Sequence, residues 1–182
     1  MNELKQIADN IINIINSDFT NKDLILIGID GRCAAGKTTL AAILNENLDC
    51  NVIHMDDFFL RPEQRTLERL NTPGENIDHE RFLEEVLIPL SKGLPVKYRP
   101  FECHKMDFGN EILLAPKKIN IVEGSYSCHY ALRGYYDYTF FLTVSEDEQM
   151  RRIVNREGKE KAKIFRDKWI PLEEMYFKQL GV

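Results

Sequence analysis

The sequence predicts an α/β fold, a doubly wound parallel sheet with helices on both faces. Apolar segments rich in β-branched residues, which suit buried parallel strands, alternate along the chain with segments of helical period. The segment 24–30 runs directly into the pattern G-x-x-x-x-G-K-T at 31–38, and the helix-forming run 39–44 follows. This strand–loop–helix context is the one in which the pattern forms a phosphate-binding loop.

The first half of the chain supplies two of the predicted strands. Residues 3–16 carry leucine and isoleucine at helical spacing, which predicts an amphipathic helix before the strand at 24–30. A second, short strand is predicted at 51–55. Residues 60–78 are polar and contain prolines and a glycine, which predicts a long ordered loop. Such loops in compact domains are usually functional.

The second half completes the predicted sheet. Asp78 is a suitable N-cap for a helix over 79–91. The remaining predicted elements are a small hairpin of strands at 96–101 and 111–114, core strands at 120–124 and 138–143, and helices over 145–157 and about 162–179. No repeat or linker interrupts the sequence, so we expect a single domain of the P-loop NTPase type over 1–182.

The phosphate loop predicts which residues hold a nucleotide. Successive backbone N–H groups of such a loop point inward at phosphate oxygens, and the helix that follows directs its positive end at them. Lys37 is expected to reach the β- and γ-phosphates, and Thr38 to place its hydroxyl on Mg²⁺. Thr39 also continues the helix. The predicted nucleotide-binding residues are Gly31, Ala34, Ala35, Gly36, Lys37, Thr38 and Thr39.

Four carboxylates follow predicted strands. Asp30, Asp56, Asp57 and Glu123 stand where strands end, and ligands of open parallel sheets gather at the carboxyl ends of the strands. We therefore expect these four acids to converge beside the phosphate loop. Such a group, with Mg²⁺ to offset its charge, is the organisation of a phosphoryl-transfer site.

Composition excludes several classes of partner. The chain has 182 residues, 43% hydrophobic and 29% charged, and a net charge of −5, so no basic surface for nucleic acid is expected. No run of about 18 apolar residues predicts a membrane span, and residues 2–7 are too polar for a signal peptide. The cysteines lack metal-binding spacing, which indicates free thiols in a reducing, cytoplasmic compartment. They are Cys33, Cys50, Cys103 and Cys128.

The motifs together resemble the uridine kinase-like branch of the P-loop kinases, which includes phosphoribulokinase and bacterial pantothenate kinase. The resemblance covers most of the chain in order. Its motifs are the phosphate loop at 31–38, MDDFF at 55–59, NIDHERF at 76–82, GLPVKYRPF at 93–101, IVEG at 121–124 and RRIVNRE at 151–157. The aspartate–aromatic block followed by an Asp-His segment is far more specific than the phosphate loop.

The resemblance implies an enzyme that uses ATP and Mg²⁺. Asp56 resembles the catalytic aspartate that activates the acceptor hydroxyl, and Asp57 is the alternative for that role or a water-mediated metal ligand. Glu123 resembles the acid that holds Mg²⁺ through water or orients the acceptor. Asp78 resembles an acid that binds sugar hydroxyls, beside its role as N-cap. Phe59 either stacks on the acceptor or belongs to the core.

The resemblance also implies a small lid over about 151–166. Closing over the phosphates, arginines of this segment would neutralise charge on the transferring group. Arg156 is the first candidate, and Arg152 and Arg166 follow it. Little apolar content anchors the segment, and Gly158 is a plausible hinge, so we expect it to move.

The sequence departs from the family at two places. In place of the base-recognition segment of uridine kinases stand residues 98–104, which keep one aromatic near the expected place. Arg99 and His104 could instead bind an acidic or polar acceptor, and Phe101 is a further candidate acceptor-binding residue. After the lid helices, the family's last strand with an Ala-Asp pair has no counterpart, so either the sheet has one strand fewer or the sequence stops short. The predicted acceptor is a nucleoside such as uridine or cytidine. A vitamin or a sugar phosphate, and a regulator that binds ATP without catalysis, are the alternatives, and a homo-oligomer is open.

Overall fold

A computed structural model describes residues 2–18 and 21–181. Helices and strands alternate over residues 2–54, and a run of helices, a run of strands and a second run of helices follow. In order they are α1 (Asn2–Asp18), β1 (Ile25–Gly31), α2 (Lys37–Asn47), β2 (Cys50–His54), α3 (Leu67–Asn71), α4 (His79–Phe82), α5 (Ile88–Ser91), β3 (Val96–Tyr98), β4 (Phe101–Glu102), β5 (Asp107–Phe108), β6 (Ile112–Leu114), β7 (Ile119–Glu123), β8 (Tyr138–Leu142), α6 (Glu146–Glu157), α7 (Lys159–Ile164) and α8 (Ile170–Leu180).

The central sheet has four parallel strands in the order β2-β7-β1-β8. β2 and β7 lie on one side of β1 in the sheet, and β8 lies on the other side. Ile29 of β1 lies opposite Glu123 of β7, and His54 of β2 lies opposite the same glutamate. The carboxyl ends of three strands are therefore brought to one edge, immediately above the phosphate loop.

Alternate residues of the strands pack against opposite layers of helices. Ile27 and Ile29 of β1 face a core formed with α1 and α2, whereas Leu26 and Val122 face a core that includes Phe82 and the aromatic residues of α8. Both faces of the sheet are thus covered by helices, as predicted for a doubly wound fold. Within the described residues, no helix combines the length and the apolar character needed to cross a bilayer.

Two long helical segments contain a π-helical turn directly before a proline. The helix predicted over 79–91 contains such a turn at Leu83–Leu87, before Pro89, and the helix predicted over 162–179 contains one at Phe165–Trp169, before Pro171. A proline within a helix lacks an N–H and crowds the carbonyl of the preceding turn. The wider turn accommodates that proline without ending the helix.

The region outside the sheet has more structure than predicted. The predicted hairpin of 96–101 with 111–114 is present as β3 paired with β6, but Pro100 separates Tyr98 from a second, inner hairpin of β4 and β5. The segment predicted as the loop 60–78 contains α3 and a 3₁₀ turn at Pro62–Gln64. An isolated bridge between Phe59 and Ile77 closes its two ends.

Candidate functional site

Two glycines shape the phosphate loop. Gly31 has φ of 136°, and a Cβ there would lie 2.0 Å from the carbonyl oxygen of Leu142. Gly36 adopts the left-handed conformation at the start of α2, and no side chain caps that end of the helix. The first amides of α2 are therefore left for a bound anion. Ala35 is buried beneath the loop, and its N–H donates to the carbonyl of Arg32 at 3.1 Å.

Lys37 is held in place by the loop itself. Its ammonium is nearly buried and donates to the carbonyl oxygens of Gly31 at 2.7 Å and Arg32 at 3.0 Å. A third contact joins it to the hydroxyl of Ser125 at 3.4 Å. The charge is thus positioned over the loop, in reach of any phosphate that enters.

The hydroxyl of Thr38 meets the carboxylate of Glu123 at the end of β7. Thr38 Oγ1 lies 3.1 Å and 3.2 Å from the two carboxylate oxygens. His54 Nδ1 lies 2.6 Å from Glu123 Oε1, and this hydrogen bond raises the pKa of His54. A hydroxyl and a carboxylate are hard oxygen donors of the kind that Mg²⁺ prefers. No role in the site is predicted for His54 from the sequence, although its position at the end of β2 could have indicated one.

Asp56 and Asp57 are adjacent but point to different surroundings. The hydroxyl of Tyr98 donates to Asp57 Oδ2 at 3.0 Å, toward the small hairpin. Asp56 instead faces the space above the phosphate loop. Its carboxylate remains accessible, yet it is surrounded on most sides by protein. This burial, followed by the negative charge of Glu123, raises the pKa of Asp56. Of the two aspartates, Asp56 is the one that lines this cavity.

Two cavities meet at Asp56. The first has a volume of about 450 Å³ and lies over the phosphate loop. The second, of about 470 Å³, is bounded by apolar side chains. Cys33 and Ser125 line both cavities, as Asp56 does. Of the predicted site residues, the first cavity brings together Ala34, Gly36, Lys37, Thr38, Thr39, Asp56, Glu123 and Arg156.

Glu173 of α8 connects the two cavities and was not predicted. It is buried, and its Oε2 accepts the N–H of Cys33 at 3.0 Å while its Oε1 accepts the hydroxyl of Ser125 at 2.9 Å. Burial raises the pKa of Glu173. This carboxylate therefore fixes the phosphate loop relative to the strand end that carries Glu123. No local pattern marks it, because its partner Cys33 lies 140 residues away.

The arginines of the expected lid separate into two groups. Arg156 and Arg152 line the first cavity, and Arg152 also donates to the carbonyl oxygen of Ala34 at 3.0 Å. Arg151 and Arg166 are paired on the exposed surface with acids of their own helices.

The expected lid is anchored more firmly than its sequence suggests. Ile153 and Ala162 are fully buried against Cys33 of the phosphate loop. The expectation of little apolar anchoring is therefore wrong at these two positions, because a few small contacts on one side of α6 and α7 suffice to seat the segment.

Asp30 lies beside the phosphate loop, as expected, but it is a structural group that lines neither cavity. It is buried, and it accepts hydrogen bonds from Tyr176 at 2.7 Å and from the N–H of Cys128 at 3.0 Å. The N–H groups of Gly31 and Tyr126 also donate to it. Because its carboxylate accepts these four hydrogen bonds, Asp30 joins the loop after β7 to α8 and does not face the cavity over the phosphate loop.

The predicted acceptor-binding residues are dispersed. Phe59 lines the second cavity. Asp78 caps α4 by accepting the N–H of Arg81 at 3.2 Å, as predicted for an N-cap, and is buried. Arg99 donates to the carbonyl oxygens of Phe108 and Gly109 and so closes the inner hairpin.

Phe101 and His104 also lie apart from the two cavities. Phe101 is buried against Phe108. His104 is exposed and lies 3.4 Å from Glu102. Asp78, Arg99, Phe101 and His104 thus line neither of the two cavities, and the structure does not bring them together.

Comparison with known proteins identifies the fold. No family model and no curated protein matches the sequence. Among solved structures, the chain is similar to a possible uridine kinase from Bacillus stearothermophilus, with a TM-score of 0.67 and 20% identity, over 91% of this chain and 94% of that one. A candidate fructose transport system kinase from Silicibacter sp. TM1040 gives 0.70 and 22%, over 97% and 94%. D-glycerate 3-kinase from Cryptococcus neoformans gives 0.61 and 15%, over 94% and 87%. The chain has the fold of the uridine kinase-like P-loop kinases.

Proposed function

We propose that this protein is an ATP- and Mg²⁺-dependent kinase that transfers the γ-phosphoryl group to a hydroxyl of a small metabolite. The observation that carries the proposal is the position of Asp56 at the junction of the two cavities. One cavity suits phosphates and the other suits an organic acceptor. A carboxylate between them is where in-line transfer needs a base.

The phosphate end depends on positioned charge. The amides of the loop and of α2 bind the phosphates, and Lys37 moves its hydrogen bonds from the carbonyls of Gly31 and Arg32 to phosphate oxygens. Arg156, and after it Arg152, approach the same oxygens from the opposite wall. These cations stabilise the charge that develops on the transferring group.

Thr38 and Glu123 are the residues that would hold Mg²⁺, because their oxygens lie side by side in the first cavity. The bound ion would offset the charge of the phosphate oxygens. His54 fixes one oxygen of Glu123 through its hydrogen bond and thereby orients the carboxylate toward Thr38.

Asp56 accepts the proton that the acceptor hydroxyl loses. Burial and the charge of Glu123 raise its pKa, which makes it a stronger base than an aspartate in water. Phe59 lies on the acceptor side of this group, where a flat or apolar part of the acceptor can pack on its ring. A regulator that only binds ATP would need neither the acid nor the second cavity.

The acceptor is tested directly with a panel. Uridine and cytidine represent the nucleosides that the family resemblance favours, and pantothenate and sugar phosphates represent the alternatives. We expect ATP consumption with one class, and the phosphorylated product confirmed by mass spectrometry. ATP binding without consumption across the panel would contradict the kinase and favour the regulator.

A further inference from the structure

We propose that the acceptor carries an anionic oxygen group, a carboxylate or a phosphate, bound by Arg65 and Lys168 in the second cavity. The inference rests on the proposed function and names the class of its substrate. Arg65 follows the 3₁₀ turn after Phe59, and Lys168 lies in the π-helical turn before α8. The two cations reach the same cavity from separate segments of the chain.

The charge of Arg65 has no acidic partner. Its guanidinium donates to the carbonyl oxygen of Leu60 at 2.9 Å and contacts Cys103 Sγ at 3.5 Å, and it lies 5.7 Å from the centre of the Phe101 ring. Within residues 2–18 and 21–181, no carboxylate oxygen lies within 4 Å of it. These contacts orient the guanidinium and leave its charge uncompensated.

Lys168 is in a similar position. Its ammonium lies 4.7 Å from the centre of the neighbouring Trp169 ring, and none of the ion pairs of the described chain includes it. The adjacent acid, Asp167, is taken by Arg166. The lysine is half-buried at the cavity wall, and no carboxylate of the described residues lies within 4 Å of its charge.

Composition does not explain these two cations. The chain has 29 acids and 24 lysines and arginines, so partners are plentiful. Most of its arginines have one: Arg32, Arg61, Arg69, Arg81, Arg151, Arg152, Arg156 and Arg166 each lie within 4 Å of a carboxylate. Of the described arginines without one, Arg65 alone lines either cavity.

The acids of the second cavity do not balance them either. Asp56 lies at the junction with the first cavity, and both oxygens of Glu173 are engaged by Cys33 and Ser125. The rest of the wall consists of Asn76, Cys103 and six largely apolar side chains: Phe59, Leu60, Leu70, Tyr126, Phe165 and Trp169. Charges interact strongly in such surroundings, and the planar fork of an arginine matches the two oxygens of a carboxylate or phosphate. A neutral nucleoside would leave both cations unpaired.

The chain provides its own reporter for the test. Trp169 is the single tryptophan of the sequence and lines the second cavity, so its fluorescence reports occupancy without ATP. The probes are pairs that differ in the anionic group: D-glycerate and glycerol, pantothenate and panthenol, fructose 1-phosphate and fructose. Inorganic phosphate and acetate serve as minimal anions, and the pairs distinguish a carboxylate from a phosphate.

We expect at least one anion to bind at least ~10-fold more tightly than its neutral partner, with an affinity that falls as salt rises. Arg65→Gln and Lys168→Gln should each weaken the binding of that anion by about tenfold and leave the affinity for its neutral partner unchanged. The matched exposed cations Arg133 and Lys178 provide controls, and Arg133→Gln and Lys178→Gln should bind as the parent does. Melting temperatures confirm that each variant folds.

Three results would overturn the inference: a neutral partner that binds equally well, an Arg65→Gln variant with unchanged affinity, or no response to any anion. Failure of the kinase proposal has a different signature. Anion binding without ATP consumption would contradict the kinase and leave the anion site, whereas ATP consumption with a neutral acceptor would contradict the anion site and leave the kinase.

Discussion

The two cavities that meet at Asp56 are built in opposite ways. The phosphate cavity is lined by six residues of the segment 33–39, by residues that follow or end β2 and β7, and by Leu4, Arg152 and Arg156. Both polar and apolar groups line it. The second cavity collects residues from 59–76, from Cys103 and from 165–173, and its wall is mostly apolar. The phosphate cavity is built around one local segment of the chain. The second cavity forms only when segments distant in sequence pack together.

The two cavities also rest on different supports. The phosphate loop sits on β1, whose strand is fully buried in the sheet. The second cavity is walled by the segment that carries Asn76, and this segment is held by Glu75, His79 and His129. His129 is buried, and its ring stacks on His79 with centres 4.2 Å apart. We therefore expect changes to the two cavities to have separable effects.

The largest effect is expected at Asp56, one of the three residues that line both cavities. Asp56→Asn should lower kcat by about 10²–10⁴-fold, because the amide cannot accept the proton of the acceptor. Titration calorimetry of ATP–Mg²⁺ should give an unchanged affinity. If ATP affinity and turnover fall in step, Asp56 is a metal ligand instead, and Asp57 becomes the candidate base.

A second substitution separates the cavities. Lys37→Ala should reduce kcat/KM by at least ~10²-fold, since it removes a preorganised charge at the phosphates. Binding of ligands to the second cavity, followed by Trp169 fluorescence, should remain as in the parent. Circular dichroism provides the control for folding, because Lys37 also bonds two loop carbonyls. Near-normal turnover would contradict the role of this lysine.

The same contrast explains what the sequence could predict. The four core strands and the phosphate loop follow from period and short motifs, so their predicted positions agree with the structure to within one or two residues. Glu173 and the cations of the second cavity carry no local signal, because contacts between distant segments give them their roles. Arg99 and His104 are predicted acceptor-binding residues because they stand where the family segment is missing, yet the first closes a hairpin and the second lies exposed beside Glu102.

As pH falls, the segment that walls the second cavity should lose stability before the phosphate loop does. Burial, and then the nearby His79, lowers the pKa of His129 to about 4, whereas an unfolded histidine titrates near about 6.5. The unfolded chain therefore binds a proton first. Stability from this group is complete above about pH 6.5 and is lost as pH falls toward 4, by up to about 3 kcal/mol.

Urea unfolding between pH 7 and pH 4.5 measures this loss, with matched variants to subtract other groups. His129→Gln should show a smaller decrease in the free energy of unfolding over that range than the parent. The exposed His104 provides the control, and His104→Gln should keep the parent's full decrease. Equal decreases in all three proteins would exclude His129 as the acid-sensitive group.

The smallest effect is expected where the lid would close over both cavities. Gly158 has φ of 83°, lies between α6 and α7, and has open space around it, while Ile153 and Ala162 seat the segment. Although these contacts seat the segment, the break between the two helices at Gly158 should still let it open locally without global unfolding. ATP and acceptor together should slow amide exchange across 151–166 on the order of tenfold, equivalent to about 1.4 kcal/mol. The buried strand β7 is the internal reference and should not change. Equal exchange in the segment with and without ligands would show that Arg152 and Arg156 belong to a rigid wall of the phosphate cavity. Neither cavity would then be closed by a moving lid.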